Sequence, residues 1–343
     1  MNFTKIRKIM SASSSAITSK VGEIRRNLLQ DDEVGEKISS RLSDADVRRF
    51  LLARKENVTE TMKMLYAWYA FRTSPIVPNG TLTPDNCLDV ADPFEDVYRD
   101  LLPHSNCGYD KKGRPCYFEK TGVISCRFRD VVNREGMCPD RLVERHVQQQ
   151  EMMIRRIDYA NRNRDVASFP EEISKQVVVF DLKNLSFALD FEAIDVFKRT
   201  IQIDQDYYPE RLQHFFMLNT PIFFSAIWAI IKPFLDEVTV NKFKILGSDY
   251  EQTLFQFIDP SNVPEELGGS DENFQWVFPG NLPECERLGI PLGERQIVEG
   301  RAFLTDMAKN AHLFQADKFP NSHGTDKSTT KSMFHLSYWM QSS

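Results

Sequence analysis

The sequence predicts an α/β fold, a mostly parallel sheet whose helices enclose a hydrophobic pocket, preceded by a small all-helical N-terminal module. Three observations carry this. Short apolar runs at Gln176–Asp181, Gln213–Leu218 and Lys242–Leu246 alternate with helical periodicity near 190–203, 222–231 and 249–258, as parallel strands joined by right-handed crossovers do. Residues 40–71 hold two amphipathic helical segments and no strand pattern. The longest greasy stretch, Phe215–Leu235, is broken by Asn219-Thr220-Pro221 and by Lys232-Pro233, whereas a membrane span needs about 20 predominantly apolar residues without a turn. It reads instead as a strand followed by a short helix. On that helix Ile222, Phe223, Phe224, Ala226, Ile227, Trp228, Ile230 and Ile231 leave almost no polar face, so protein, ligand or lipid must cover it.

In chain order, Met1–Lys20 is basic, Ser-rich and free of acids, and residues 1–35 are expected to be a flexible tail because Ser13–Ser15 interrupts any amphipathic helix. Only Ile24–Leu29 within it suggests a short helix. Residues 36–95 form the helical module. Ser43 with Asp46 three residues on resembles a capping box and opens a helix bearing Val47, Phe50 and Leu51, which ends near Arg54-Lys55 where cations suit the helix dipole. A second helix from Thr59 places Met62, Leu65, Tyr66 and Tyr69 at helical spacing, and Pro75 and Pro78 close it. The main domain spans 96–280. Asp110–Gly113 is a turn, Arg114–Glu119 the returning strand, and Pro139 starts a long helix to about Arg162 with Leu142, Val143, His146, Val147, Met153, Ile154 and Ile157 inward. Leu267-Gly268-Gly269 turns the chain out of the alternating series, and Phe274–Phe278 pairs at an edge. Residues 281–315 are expected to pack on the core, with a helix at Gly300–Phe314, and 316–343 to be disordered.

Composition sets further bounds. The 343 residues, 41% hydrophobic, can bury one sizeable core, and a net charge of -6 lacks the basic excess of a nucleic-acid binder. The six cysteines show no C-x-x-C or Cys/His ligand spacing, so no metal or redox centre is expected. With no apolar signal segment at the N-terminus, the scattered thiols fit a reduced cytoplasmic setting. There is no G-x-G-x-x-G, no P-loop and no G-x-S-x-G, and the six histidines are dispersed. Ser248 reads as a helix N-cap rather than a nucleophile. No catalytic residue and no cofactor are assigned.

A binding constellation remains. Tyr207-Tyr-Pro-Glu-Arg211 places a carboxylate and a guanidinium just before one strand, and Thr239-Val-Asn-Lys242 places a hydroxyl and an ammonium just before the next. Two such clusters beside one greasy helix suit a ligand with an anionic, hydroxyl-rich head and long acyl chains. The residues alone favour the plainer reading, a surface Glu210-Arg211 ion pair and a solvated Lys242 at a strand start, because most surface charges have no function.

The ordered set Arg49-Phe-Leu-Leu-Ala-Arg-Lys55, Gly113-Arg-Pro-Cys-Tyr-Phe-Glu119, Tyr207–Arg211, Asn219–Pro221, Lys232–Leu235, Val238–Lys242, Ile245–Gly247 and Val263–Gly269 resembles the CRAL-TRIO lipid-binding family, nearest its secretory phosphatidylinositol/phosphatidylcholine transfer proteins. The likeness covers about 40–271. It implies a lipid pocket closed by a movable gate helix, with the phosphatidylinositol head held by Arg54, Lys55, Glu210, Thr239 and Lys242. It places a second-ligand pocket at Tyr117, Gln150, Gln176, Val178 and Arg211, and the gate and acyl pocket at Phe216, Phe223, Phe224, Ile227, Trp228, Ile231 and Phe234. The family's hydroxyls and tyrosines around a choline head fall here at Gln176, Val178, Asn106 and Gln150, so the second ligand is another phospholipid or a different hydrophobe. The implied partners are phosphatidylinositol, a transient membrane surface such as Golgi or endosome, and a phosphoinositide kinase, with no nucleic acid. The other readings are a sterol or retinoid carrier on this fold and a lipid hydrolase.

Overall fold

Five strands form one sheet in the order β1-β2-β3-β4-β5. The computed structural model describes residues 3–276 apart from 32, 90–96, 98–102, 107, 134–135, 165, 168, 187–189, 273 and 275. Strand β1 (His104–Ser105) runs antiparallel to β2 (Cys116–Glu119), and β3 (Gln176–Asp181), β4 (Leu212–Leu218) and β5 (Phe243–Ile245) continue in parallel. The α/β alternation is as the sequence predicts: α5 (Thr121–Val132) and α6 (Pro139–Asn163) link β2 to β3, and α7 (Phe191–Tyr207) links β3 to β4. Helix α8 (Phe224–Ile231), a 3-10 turn at Lys232–Phe234 and the short α9 (Glu237–Val240) lead to β5, and α10 (Glu251–Phe257) follows it.

Alternation along the strands divides the sheet into two faces. Cys116, Phe118, Val177, Val179, Phe216 and Leu218 point to one side, where they are fully buried against Tyr250, Leu254, Ile258, Val263 and Leu267. This α10 face is the packed core. Gly269 closes it, since a Cβ there would stand 1.9 Å from the Val263 carbonyl oxygen. The other side, covered by α6 and α8, carries Tyr117, Glu119, Gln176, Val178, Phe180, Phe215, Met217 and Phe243. Tyr117, Phe180, Phe215 and Phe243 are only partly buried there.

The helical module differs from expectation at its start. Residues 1–35 were predicted as tail, yet α1 spans Phe3–Asp31 and α2 Glu33–Arg41. The reason is tertiary: Ile17, Val21, Ile24 and Leu28 recur on one face and are buried with Ile38, Val47, Phe50, Leu51, Met64 and Leu65. Helix α3 (Asp44–Ala53) opens on the predicted Ser43/Asp46 capping box, and α4 (Val58–Thr73) on Asn57, whose side chain accepts the Glu60 N–H at 3.1 Å. The module docks on the sheet domain through Arg49, whose Nη1 donates to the Pro209 carbonyl at 3.0 Å, and through Phe71 stacked on Tyr207 at 3.9 Å. Arg72 reaches Glu151 of α6 at 2.5 Å.

Two further local expectations change. Ser248 does not cap a helix: it is exposed in the turn before Tyr250, the N-cap of α10. Phe274 does not begin an edge strand; it stands edge-on to Phe118 at 5.2 Å, with Trp276 at 5.1 Å from it. Residues 277–278 of that segment, the packing extension at 281–315 and the tail at 316–343 lie outside the described residues.

Candidate functional site

Parallel order brings the segments before β3, β4 and β5 side by side, so the residue preceding each strand can meet its neighbours. Glu210, before β4, sits at φ 56°, a left-handed conformation that a non-glycine residue adopts at a cost of about 1 kcal/mol or more. Its Oε2 receives Lys175 Nζ at 3.0 Å and Lys242 Nζ at 3.6 Å. Burial works to raise the Glu210 carboxyl, but the two ammoniums outweigh it and hold the carboxyl below its usual value. Burial, together with the like charge of Lys175, lowers Lys242, against the pull of Glu210 and Asp236. Thr239 belongs to the same assembly: its Oγ1 donates to Asp236 Oδ2 at 2.6 Å, and its carbonyl accepts the Lys242 N–H at 2.9 Å. Lys175 and Asp236 are the members that sequence reasoning missed. Lys175 precedes its strand by one residue, as Lys242 does, and that repeated position was the available signal.

Arg54 and Lys55 are placed apart from this assembly. Arg54 caps α3 and lies 3.8 Å from Asp206 in the last turn of α7, while Lys55 and Glu56 follow in left-handed conformations. With Glu60, Lys63, Met64, Ala67 and Tyr207, Arg54 and Asp206 line a cleft of about 260 Å³. Neither Arg54 nor Lys55 forms a hydrogen bond or ion pair with Glu210, Thr239 or Lys242.

On the α6 face, Tyr117, Gln150, Gln176 and Val178 lie near one another. Val178 lies between Tyr117 and Phe215 in register, and Gln176 Nε2 donates to Gln150 Oε1 at 3.3 Å. Arg211 does not join them. Its Nη1 donates to the Ser174 carbonyl at 3.2 Å and its Nη2 lies 3.6 Å from Asp46 of the helical module, so it belongs to the docking interface. Burial and the neighbouring Arg49 lower it to about 10. Phe216 is a second correction: expected with the gate and acyl residues, it points to the α10 face, because neighbouring strand positions alternate and Phe215 holds the pocket side.

Helix α8 closes the α6 face. Phe224 is buried with Leu182 and Met217, and Ile227 and Trp228 pack on the same group. Trp228 meets Phe243 at 4.9 Å, which stacks on Phe215 at 4.5 Å, which in turn meets Phe180 at 4.7 Å. Ile231 is buried and Phe223 partly so. The outer surface is apolar too: Ile222 is 99% exposed, Ile230 42% and Phe234 43%, with Lys198 Nζ 4.5 Å from the Phe234 ring. Among the described residues no helix is long and apolar enough to cross a membrane.

Comparison with known proteins agrees with this architecture. Residues 104–269, from β1 to the Gly269 turn, match the CRAL/TRIO domain. The chain is also 31% identical over 233 residues to the SEC14 cytosolic factor of Candida glabrata, a match covering 68% of this chain and 72% of that protein. The chain belongs to the CRAL-TRIO family. A further relative, the phosphatidylinositol/phosphatidylcholine transfer protein SFH12 of Arabidopsis thaliana, is 30% identical over 226 residues, 65% of this chain and 38% of that one. The crystal structure of Sfh5 superposes with a TM-score of 0.59 over 83% of this chain and 98% of its own, at 18% identity, which shows a shared fold.

Proposed function

We propose that this CRAL-TRIO protein binds phosphatidylinositol and exchanges it between its interior and membranes, without a covalent step. The observation that supports this best is the Glu210 assembly, where a strained, partly buried carboxylate holds two ammoniums beside a hydroxyl. Those groups match the head: Lys242 and Thr239 pair with the phosphodiester, while Glu210 accepts from inositol hydroxyls. On binding, phosphate takes over part of the charge that Glu210 now balances, and the Thr239 hydroxyl turns from Asp236 to the ligand. The names of the relatives, one a phosphatidylinositol/phosphatidylcholine transfer protein and one a cytosolic factor, support the same reading.

Exchange needs an opening, and α8 is the element built for it. Its inner side lies on an aromatic row and its outer side is already apolar, so swinging onto a bilayer substitutes acyl chains for protein contacts at little hydrophobic cost. The decisive experiment is mass spectrometry of lipid extracted from the protein after incubation with mixed vesicles. Phosphatidylinositol is expected in the wild type and is reduced about tenfold or more in Lys242→Ala, the loss of one charge-assisted hydrogen bond. Absence of phosphatidylinositol, or equal amounts in the two proteins, refutes the assignment.

A further inference from the structure

The α10 face of the sheet ends, at the strand starts, in a basic patch that the Glu210 assembly does not use. His214 on β4 and Lys244 on β5 both point to the α10 side: Lys244 stands opposite Phe216 in register, and His214 lies two positions before Phe216. Both meet the Phe257 ring at the end of α10, the imidazole at 4.6 Å and the Lys244 ammonium at 5.0 Å from its centre. The Asp110–Gly113 turn is pinned beside the same residue. There the Lys111 N–H donates to the Phe257 carbonyl at 2.8 Å, and the Lys111 ammonium to the Phe255 carbonyl at 2.5 Å. Lys112, next in the turn, is exposed. Three separate segments of chain thus bring Lys112, His214 and Lys244 to one place.

Their charge is not balanced within the protein. Asp110 is taken by Arg114 at 2.8 Å, and Glu210 by Lys175 and Lys242. Among the described residues, Lys112 and Lys244 form no ion pair and the His214 ring no hydrogen bond. Glu171 and Glu172, on the loop whose Ile173 lies against Gly113, are exposed and pair with none of the three. Burial, and then Arg114, Lys244, Lys112 and Lys175, hold the imidazole down to about 4, so the field at the ring is positive. An anion placed here gains from each of these groups. A singly charged carboxylate needs one cation, whereas two ammoniums and an imidazole arriving from three segments suit the several oxygens and the double charge of a phosphomonoester. A long polyanion would run from the patch onto the surface of a chain whose net charge is -6.

We propose that Lys112, His214 and Lys244 form a binding site for a phosphomonoester, carried on a soluble inositol phosphate or on a phosphorylated lipid head. The site stands apart from the phosphatidylinositol reading, since none of the three belongs to the Glu210 assembly. Imidazole NMR of the full chain with inositol trisphosphate should move the His214 titration upward by about one pH unit, because a nearby anion favours the charged ring. Lys112→Gln in the turn and Lys244→Gln on the strand should each weaken trisphosphate binding about tenfold, and two variants on separate segments guard against one failing to fold. Sedimentation with phosphatidylcholine vesicles carrying a phosphatidylinositol monophosphate, compared with vesicles carrying phosphatidylserine, separates the two sources. A preference for the former that needs the two lysines names the lipid head, and vesicle binding indifferent to them names the soluble ester. An unmoved His214, or unchanged trisphosphate affinity in the folded variants, overturns the site. So does lysine-dependent sedimentation that is equal on both vesicles, which would mark a general response to membrane charge. A His214 response in a protein that takes up no phosphatidylinositol supports the site and refutes the carrier assignment.

Discussion

Phe215 and Phe216 are neighbours in one strand and live in different proteins, so to speak. Phe216 is fully buried on the α10 face among residues that leave no space, while Phe215 looks toward α6 and α8 across an aromatic row that is only partly covered. The sheet thus separates two duties by the parity of its residues. One face holds the fold together, and the other is the more loosely covered of the two. Because the parity is fixed by the strand, a site can be loosened here without loosening the core behind it.

The contrast can be broken most directly by truncation. Phe216→Ala should cost about 3–5 kcal/mol in urea unfolding, the usual range for a packed core phenylalanine, and Phe215→Ala less than half of that. Equal losses would mean that both faces are packed alike. A smaller effect tests the closure of the α10 face: Gly269→Ala should cost about 2 kcal/mol, because its Cβ would strike the Val263 carbonyl and push out the turn that seats Leu267. Gly247→Ala, with its nearest neighbour Asp249 Oδ1 at 3.4 Å, is the matched control and should be close to neutral.

The smallest expected effect lies in two histidines. His214, on the α10 side against Phe257, is lowered to about 4 by burial and by Arg114, Lys244, Lys112 and Lys175. Burial also works to lower His146, but Asp204, and then Glu119, outweigh it and raise the imidazole above 6.5. The consequences for stability have opposite signs. The His214 contribution is complete above 6.5 and falls away as pH drops toward about 4, since the unfolded chain takes the proton first. The His146 contribution is complete below 6.5 and is lost as pH rises through its raised value. Imidazole titration by NMR, assigned with His146→Gln and His214→Gln, should place His146 well above His214; the reverse order would undo the assignment of the two environments.

The parts of the chain that could be read from sequence are those whose signals are local. The β3–α10 series showed itself because each strand is a short apolar run, and Ser43 with Asp46 announced α3 because a capping box closes on itself. Helix α1 was hidden because its serines argue for disorder until a partner surface is supplied. Its apolar positions Ile17, Val21, Ile24 and Leu28 have meaning only once α3 and α4 are there to receive them. Glu210, Thr239 and Lys242 were legible as residues at strand starts, but Lys175, which completes their charge balance, comes from a loop 35 positions away from Glu210. Arg211 and Phe216 were misplaced for a geometric reason: each neighbours a site residue along the chain, and in a strand or its approach the next residue faces elsewhere.

Arg49 reaches across from α3 to hold the carbonyl of Pro209, the peptide oxygen just before the strained Glu210. The helical module therefore acts as a splint on the loop that presents the carboxylate. A chain trimmed to begin at residue 96 would keep every strand yet release that loop to relax out of its left-handed turn. Lipid binding measured on such a fragment would therefore not test the proposal made for the whole chain.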